Sequence, residues 1–466
     1  MRVPFISLLF VTSLFGSDWH QFRGPNSSGI GDSKGLPVEF GPDKNVIWKT
    51  SLPPGHSSPV FTKDRIFLTA IDSGKLFTFC LDRATGRIQW RREVPRPREQ
   101  ELHKSNHPAS PSPVTDGRNV YVFFGDYGLV SFGPDGNERW KLPLGPFNNP
   151  MGMGSSPVLA GNTLLQVCDQ ESGSFFIALD KDTGKTKWRV ERPEVTRGFS
   201  TPLLYQQKDG PQEVLVTGAY QMTSYAVETG KPVWWLRGLT WQLKPTPVLS
   251  EDKMYIQGWA GGADDGQQEE VMPFEEALRR FDANKDGKIV KAEITDEKLL
   301  KDWLNLDLDK DNEVNERDWR FFRSRRLAQN GILAFKLGGE GDMTEKNFLW
   351  RYTKSLPNVP SPLLYDGVLY MLKEGGILTS FDPDTGKVLK QARLQGALGQ
   401  YFSSPVAADG KIYTVSEEGK ASVLKPGGEW EILAVHDLGE ECHATPAILD
   451  NRIYLRTKNT LYCFGK

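Results

Sequence analysis

The architecture is written most plainly in Ala178-Leu179-Asp180-Lys181-Asp182-Thr183-Gly184-Lys185-Thr186-Lys187-Trp188. Aspartate and Thr-Gly suit a tight turn between two strands, and the tryptophan that follows offers a large flat surface to a neighbouring element. The pattern recurs as Asp82, Thr85, Gly86 and Trp90, and again as Asp382, Thr385 and Gly386, with Lys390 where a tryptophan would stand. Trp140 and Trp234 hold the same place in degenerate copies.

A second, shorter signature paces the chain: a small hydroxylated residue, proline, then an aliphatic residue. It occurs at Ser58-Pro59-Val60, Ser112-Pro113-Val114, Ser156-Pro157-Val158, Thr201-Pro202-Leu203, Thr246-Pro247-Val248, Ser361-Pro362-Leu363, Ser404-Pro405-Val406 and Thr445-Pro446-Ala447. The prolines are 54, 44, 45, 45, 115, 43 and 41 residues apart. Apart from the one large gap, that is the period of a four-stranded propeller blade. Eight signatures predict eight blades, with 46 Gly and 31 Pro serving the many turns. The last period stops after three strands, whereas Asn45-Val46-Ile47-Trp48-Lys49 carries an outer-strand tryptophan with no inner strands before it. The N-terminal strand is therefore expected to complete blade eight and remove the open sheet edge.

The Ala178 to Trp188 element resembles the tryptophan-docking repeat of the pyrroloquinoline quinone (PQQ) repeat superfamily. The opening Asp18-Trp19-His20-Gln21-Phe22-Arg23-Gly24-Pro25 is similar to that of exported bacterial PQQ-like propellers. The resemblance implies an all-β, eight-bladed propeller, but the superfamily holds both quinoprotein alcohol dehydrogenases and the propeller subunit of the outer-membrane barrel-assembly machinery.

The rest of the composition narrows the class. With 57 Lys+Arg against 59 Asp+Glu and 38% hydrophobic residues, the chain is neither a disordered tail nor an electrostatic nucleic-acid binder. Residues 3–15 are apolar, preceded by Arg2 and followed by Gly16 and Ser17, which reads as a signal peptide over residues 1–17 with no transmembrane segment after its removal. The mature chain is expected outside the cytoplasm, in a periplasm or secreted. Cys80, Cys168, Cys442 and Cys463 show no CxxC spacing and read most simply as buried free thiols.

The large gap fits an insertion over residues 261–330, which divides the propeller into residues 18–260 and 331–466 and falls between the second and third strands of blade five. Its pattern turns helical at Phe274-Glu275-Glu276-Ala277-Leu278-Arg279-Arg280-Phe281. A loop follows with the spacing of an EF-hand: Asp282, Asn284 and Asp286 as oxygen donors, Gly287 at the sharp turn, Lys288 offering its carbonyl, and Glu293 to bind bidentately. A second loop places Asp307, Asp309, Asp311, Glu313 and Asp318 at the corresponding positions. It departs from the pattern with Asn312 in place of glycine and Asp318 in place of glutamate, so weaker calcium binding is expected there. One helix over residues 295–306 should join the loops, and Arg320, Arg323, Arg325 and Arg326 are read as a solvated face of the exit helix.

Since strands alternate direction, the insertion shares a face with the blade-to-blade connections. His56 and His443 each stand three residues before a signature proline on that face, in adjacent blades one and eight. Together with His107 and Cys442 they are candidates for a site at the channel mouth, as transition-metal ligands or as a base. No catalytic residue is assigned. The expected function is that of a calcium-binding module or scaffold whose partner, a protein or extracellular ligand, engages the insertion-bearing face. The alternatives are a PQQ-dependent oxidoreductase and a metal-dependent enzyme built on the histidines. The chain lacks the adjacent-cysteine disulfide of alcohol-oxidising quinoproteins. Without leader and insertion it has about 380 residues, the size of the non-catalytic barrel-assembly propeller, so PQQ is the less favoured cofactor.

Overall fold

A computed structural model describes residues 19–207 and 210–466, and the leader predicted over residues 1–17 lies outside the described residues. Eight sheets follow one another around a ring, each built on four antiparallel strands; blade four gains a fifth, Gly341–Asp342, which pairs parallel with its outer strand Pro232–Arg237. Blade three shows the local logic. Thr163–Cys168 and Phe175–Asp180 are buried central strands, and the outer Thr186–Glu191 alternates between solvent and the next blade. At its turn Asp180 Oδ1 accepts from Thr183 N at 2.9 Å and Thr183 Oγ1 at 2.8 Å, which frees Gly184 to adopt a φ of +71°.

That glycine is where the neighbouring tryptophan lands. A Cβ on Gly184 would lie 2.6 Å from the Trp140 ring, on Gly86 2.4 Å from Trp48, on Gly136 2.8 Å from Trp90, on Gly230 2.7 Å from Trp188 and on Gly386 2.5 Å from Trp350. These five outer-strand indoles therefore lie on the turn glycine of the following blade; Trp234 of blade four, at the equivalent register, does not, being wholly buried with its N–H donating to Glu213 Oε2 of its own blade at 2.8 Å. Four of the five docked indoles also donate to a turn carbonyl, Trp90 to Pro134 at 3.0 Å, Trp140 to Lys181 at 2.8 Å, Trp188 to Val227 at 2.9 Å and Trp350 to Pro383 at 3.0 Å. Blade six, where Lys390 replaces the tryptophan, is joined from the other side. Trp430 of blade seven lies 4.5 Å under the Lys390 ammonium, which also donates to the Trp430 carbonyl at 2.6 Å.

The ring closes as the sequence predicts. Val46–Ser51 pairs antiparallel with Thr460–Phe464, Val46 opposite Phe464 and Ser51 opposite Thr460, so the outer strand of blade eight comes from the start of the chain. Its Trp48 docks on Gly86 of blade one and joins last blade to first. All four cysteines are buried and free. No helix among the described residues is long and apolar enough to cross a membrane.

The insertion leaves blade five between Lys253–Gly258 and Gly331–Lys336, which pair with each other, Gly258 opposite Gly331. It has its own small core of Ala277, Phe281, Ile289, Trp303, Leu306, Val314, Trp319 and Phe322. The joining segment is not one helix: it breaks at Asp302 into Glu297–Lys301 and Trp303–Leu306, because Asp302 adopts φ −100°, ψ 11°.

Candidate functional site: a blind channel and a docked insertion

The signature residues build the channel layer by layer. At its waist the eight hydroxyls form a closed ring. Ser58 N donates to Ser112 Oγ at 2.9 Å, Ser112 N to Ser156 Oγ at 2.9 Å, Ser156 N to Thr201 Oγ1 at 3.2 Å and Thr201 N to Thr246 Oγ1 at 3.3 Å. Thr246 N then donates to Ser361 Oγ at 3.0 Å, Ser361 N to Ser404 Oγ at 2.9 Å, Ser404 N to Thr445 Oγ1 at 3.0 Å and Thr445 N back to Ser58 Oγ at 3.0 Å. The hydroxyl before each proline thus satisfies the inner-strand N–H of the preceding blade, which otherwise faces the channel unpaired.

Two residues past the proline, the inner strands are capped by the N-terminal segment. Trp19 O accepts from Phe61 N and His20 O from Thr115 N, both at 2.9 Å; Asn26 brackets Leu204 with two bonds of 2.8 Å; Gly29 and Gly31 pair with Ala407. Reaching blades one, two, four and seven, this segment crosses the channel, and Phe22 lines the cavity from that end. Arg23, wholly buried, donates through Nη2 to Pro362 O at 2.9 Å and Pro405 O at 3.3 Å. Its Nε and Nη1 have no partner among the described residues, and burial lowers its pKa to about 9. The channel is blind, with a cavity of about 310 Å³ opening on the insertion-bearing face.

Three residues before the proline stands the rim: His56, Ser110, Gly154, Phe199, Lys244, Val359, Phe402 and His443, one per blade, all lining the cavity. The structure brings His56, His107 and His443 together. His56 stacks on His443 with centroids 3.9 Å apart and planes 3° from parallel, His107 lies 4.8 Å from His56, and Phe402 lies 4.9 Å from His443. These are contacts of ring faces. Stacked imidazoles direct their in-plane lone pairs side by side, and the lone cluster of convergent His, Cys, Asp or Glu donors among the described residues is Asp307, Asp309 and Asp311. Among the described residues the three histidines thus meet by their ring faces rather than by convergent nitrogens.

Burial and the neighbouring cations push the His56 pKa down to about 2 and that of His107 to about 4, and burial also lowers that of His443. His107 Nδ1 accepts from Ala109 N at 3.1 Å, and His443 Nε2 lies 3.3 Å from Glu417 Oε1. Cys442 does not join them. Its Sγ turns into blade eight, 3.2 Å from Arg456 O and 3.5 Å from Ala444 O, and burial raises its pKa to about 12.

Lys244, which motif reading passes over, holds the rim position of blade five. Its ammonium donates to Asn358 Oδ1 at 2.8 Å and Gln242 Oε1 at 3.0 Å, and lies 5.9 Å over the Phe199 ring. Burial foremost, with Arg197 adding, lowers its pKa to about 8. The signal that finds it is register: like His56 and His443, it stands three residues before the signature proline.

In the insertion, the first loop closes in a tight turn at Gly287. Gly287 at φ +85° donates to Asp282 Oδ2 at 3.0 Å, Asp286 N reaches Asn284 Oδ1 at 2.9 Å, and Lys288 N reaches Asp286 Oδ1 at 3.0 Å. Glu293 accepts from Ala283 N and Val290 N. The second loop is the denser. Asn312 takes φ +70° in place of glycine, and Asp307, Asp309 and Asp311 bring carboxylate oxygens within 4.8 Å of one another. Asp307 Oδ1 and Asp318 Oδ1 are buried without a hydrogen-bond donor, and burial raises the Asp318 pKa to about 6. Crowded carboxylates with orphaned buried oxygens are the donor set a hard divalent cation fits. Ile289–Val290 pairs with Glu313–Val314 and ties the two loops back to back; across that ribbon Glu313 is paired with Lys288.

The exit helix, Glu316–Leu327, is not a solvated face. Of its basic residues Arg320 is exposed yet reaches Pro193 O at 3.3 Å, Arg323 donates to Val271 O, Arg325 lies 4.0 Å over Trp241, and Arg326 is paired with Asp302. Phe321 stacks on Tyr220, Arg317 reaches Glu171 O at 2.8 Å, and Asn148 donates to Leu308 O at 2.8 Å. These contacts fix the insertion on the connections of blades two to five, beside the channel mouth.

Solved structures share this architecture at low identity. BamB from Moraxella catarrhalis matches with a TM-score of 0.57 and 13% identity over 90% of this chain and 97% of that one. A europium-containing methanol dehydrogenase matches with a TM-score of 0.60 and 9% identity over 97% and 98%. Quinohemoprotein alcohol dehydrogenase from Comamonas testosteroni matches with 0.59 and 12% over 97% and 81%. At such identities the likeness is one of fold. Among curated proteins, none matches the chain by sequence. Over residues 34–172, 80–234 and 173–465 the sequence matches the PQQ-repeat family described as "Outer membrane protein assembly factor BamB", and the chain belongs to that family.

Proposed function

We propose that the protein is an exported, calcium-binding propeller that works as a binding and scaffold module, its partner engaging the face that carries the insertion. The observation that carries this reading is the chemistry of the channel. Among the described residues no aspartate or glutamate lines the cavity, and the signature hydroxyl oxygens accept the backbone N–H bonds that hold the ring together. A quinoprotein dehydrogenase needs a carboxylate to take the substrate proton and oxygen ligands for a quinone-bound calcium. The cavity lining supplies no such carboxylate, so the residues present do not fit that group, and no step is derived through it.

Polar and charged side chains are instead concentrated where the insertion meets the propeller. Arg197 and Glu171 form a buried ion pair of 2.9 Å there, beside Arg317 and Arg325. Calcium in the second loop would be held by Asp307, Asp309, Asp311 and Asp318. Neutralising those crowded charges, it would stiffen the segment that Asn148 and Glu171 grip. Membership of a family described by an assembly factor supports a protein partner, and the apolar leader supports export.

The test is dye-linked oxidation of alcohols and sugars by the full chain supplied with PQQ and calcium, alongside calcium titration calorimetry. Calcium uptake without turnover is expected; PQQ-dependent turnover would overturn the reading.

A further inference from the structure

We propose that the blind channel is a binding site for a small organic carboxylate, its charge on Lys244 and its apolar body against the ring stack across the mouth. The proposal deepens the binding-module reading and rests on it. Among the described residues Lys244 is the lone lysine or arginine lining the cavity, and no acidic side chain lines it. Two of its three N–H donors go to the neutral oxygens of Gln242 and Asn358, which orient the ammonium without cancelling its charge. Glu374, which accepts from Asn358 N at 3.0 Å, acts on Lys244 through space without an ion pair between them, and Glu417 stands across the mouth, 3.3 Å from His443. One layer below the hydroxyl ring, the Arg23 guanidinium bonds only to carbonyls, those of Pro362 and Pro405, which directly follow the lining residues Ser361 and Ser404. Two cations without carboxylate partners, at the mouth and beneath the floor of a shielded cavity, give it a positive potential that a ligand anion would neutralise.

The remaining surface says what the anion carries. Eight hydroxyls accept backbone N–H bonds and keep their own protons for a ligand rich in acceptors. Opposite Lys244, in blades seven, eight and one, the Phe402, His443 and His56 rings run as a stack, and Phe199 flanks the lysine. At about 310 Å³ with a closed floor, the cavity suits a small molecule and excludes a polypeptide.

The experiment is calorimetric titration of the full chain, in calcium, with benzoate and with benzamide, its neutral counterpart of the same shape. Benzoate is expected to saturate one site per chain, at least tenfold tighter than benzamide. Lys244→Met should weaken benzoate by tenfold or more and leave benzamide unchanged, with Lys244→Gln as a second variant should the first unfold. Equal affinity for the two probes, benzoate binding indifferent to Lys244, or no saturable benzoate binding would each overturn the proposal while leaving the scaffold reading standing. PQQ-dependent turnover would overturn the scaffold reading and leave the benzoate result as it is.

Discussion

Replacing Gly184 by alanine tests whether the indole-on-glycine contact seals the blades. Two costs add at this position. The first is the left-handed backbone, φ +71°, which an L side chain adopts at about 1–2 kcal/mol. The second is contact: the new methyl would sit 2.6, 2.8 and 2.9 Å from three atoms of the Trp140 ring, so the indole must retreat by close to 1 Å. Retreat both overpacks the interface and strains the 2.8 Å bond from Trp140 Nε1 to Lys181 O, together about 2–4 kcal/mol. Gly161 supplies the control, since it has φ +57° with nothing within 4 Å of a Cβ and so carries the backbone cost alone. In urea unfolding followed by far-ultraviolet circular dichroism, Gly184→Ala should lose about 2–4 kcal/mol more than Gly161→Ala. In a Trp140→Leu background that excess should vanish, the coupling a double-mutant cycle reads. Equal losses for the two glycine variants in the parent chain would refute the docking argument.

Three further outcomes are expected. The histidine stack makes the fold acid-labile. With folded pKa values of about 2 for His56 and about 4 for His107 against about 6.5 unfolded, their contribution is complete above pH 6.5 and declines below it, by up to about 1.4 kcal/mol per pH unit each. His56→Phe should flatten that decline in urea titrations between pH 7 and 5, and an unchanged slope would exclude the stack as its source. Saturating calcium, at a hundred times its dissociation constant, should stabilise the insertion by about 2.7 kcal/mol, read as protection of residues 261–330 from limited proteolysis; Asp307→Asn with Asp318→Asn should abolish most of that protection, and protection that persists would place the ion elsewhere. Ser58→Ala should cost about 1–3 kcal/mol by leaving Thr445 N unpaired in the ring, and a neutral result in the same urea assay would show that water replaces the hydroxyl.

Blade number, ring closure and the site of the insertion were legible because each rests on local chemistry repeated in register. Asp-Thr-Gly makes its turn wherever it stands, and a strand carrying an outer tryptophan with no inner strands before it has one place to go. What escaped needs the closed ring. The Ser/Thr before each proline reads as a turn residue until its neighbour 41 to 54 positions away, or across the insertion, presents an N–H to it. The convergence of His56, His107 and His443 follows from register, yet whether they meet by nitrogen or by face depends on rotamers that register does not carry. Cys442 neighbours His443 in sequence and, one residue off in phase, faces the opposite side into the core. Lys244 belongs to no motif, and the arginines of Glu316–Leu327 look solvated until the surface of blades three to five is laid against them.

The capped channel and the borrowed strand of blade eight carry a consequence for how the protein is made. A chain delivered from its N-terminus presents residues 19–51 long before their partners, which include Ala407 and Thr460–Phe464. Until then the growing molecule is an arc with bare sheet edges at both ends, the state most open to pairing with a second chain. Closing it joins segments separated by nearly the whole sequence, a step with high contact order and therefore slow beside the folding of single blades. The ring is complete only when Val46–Ser51 meets Thr460–Phe464.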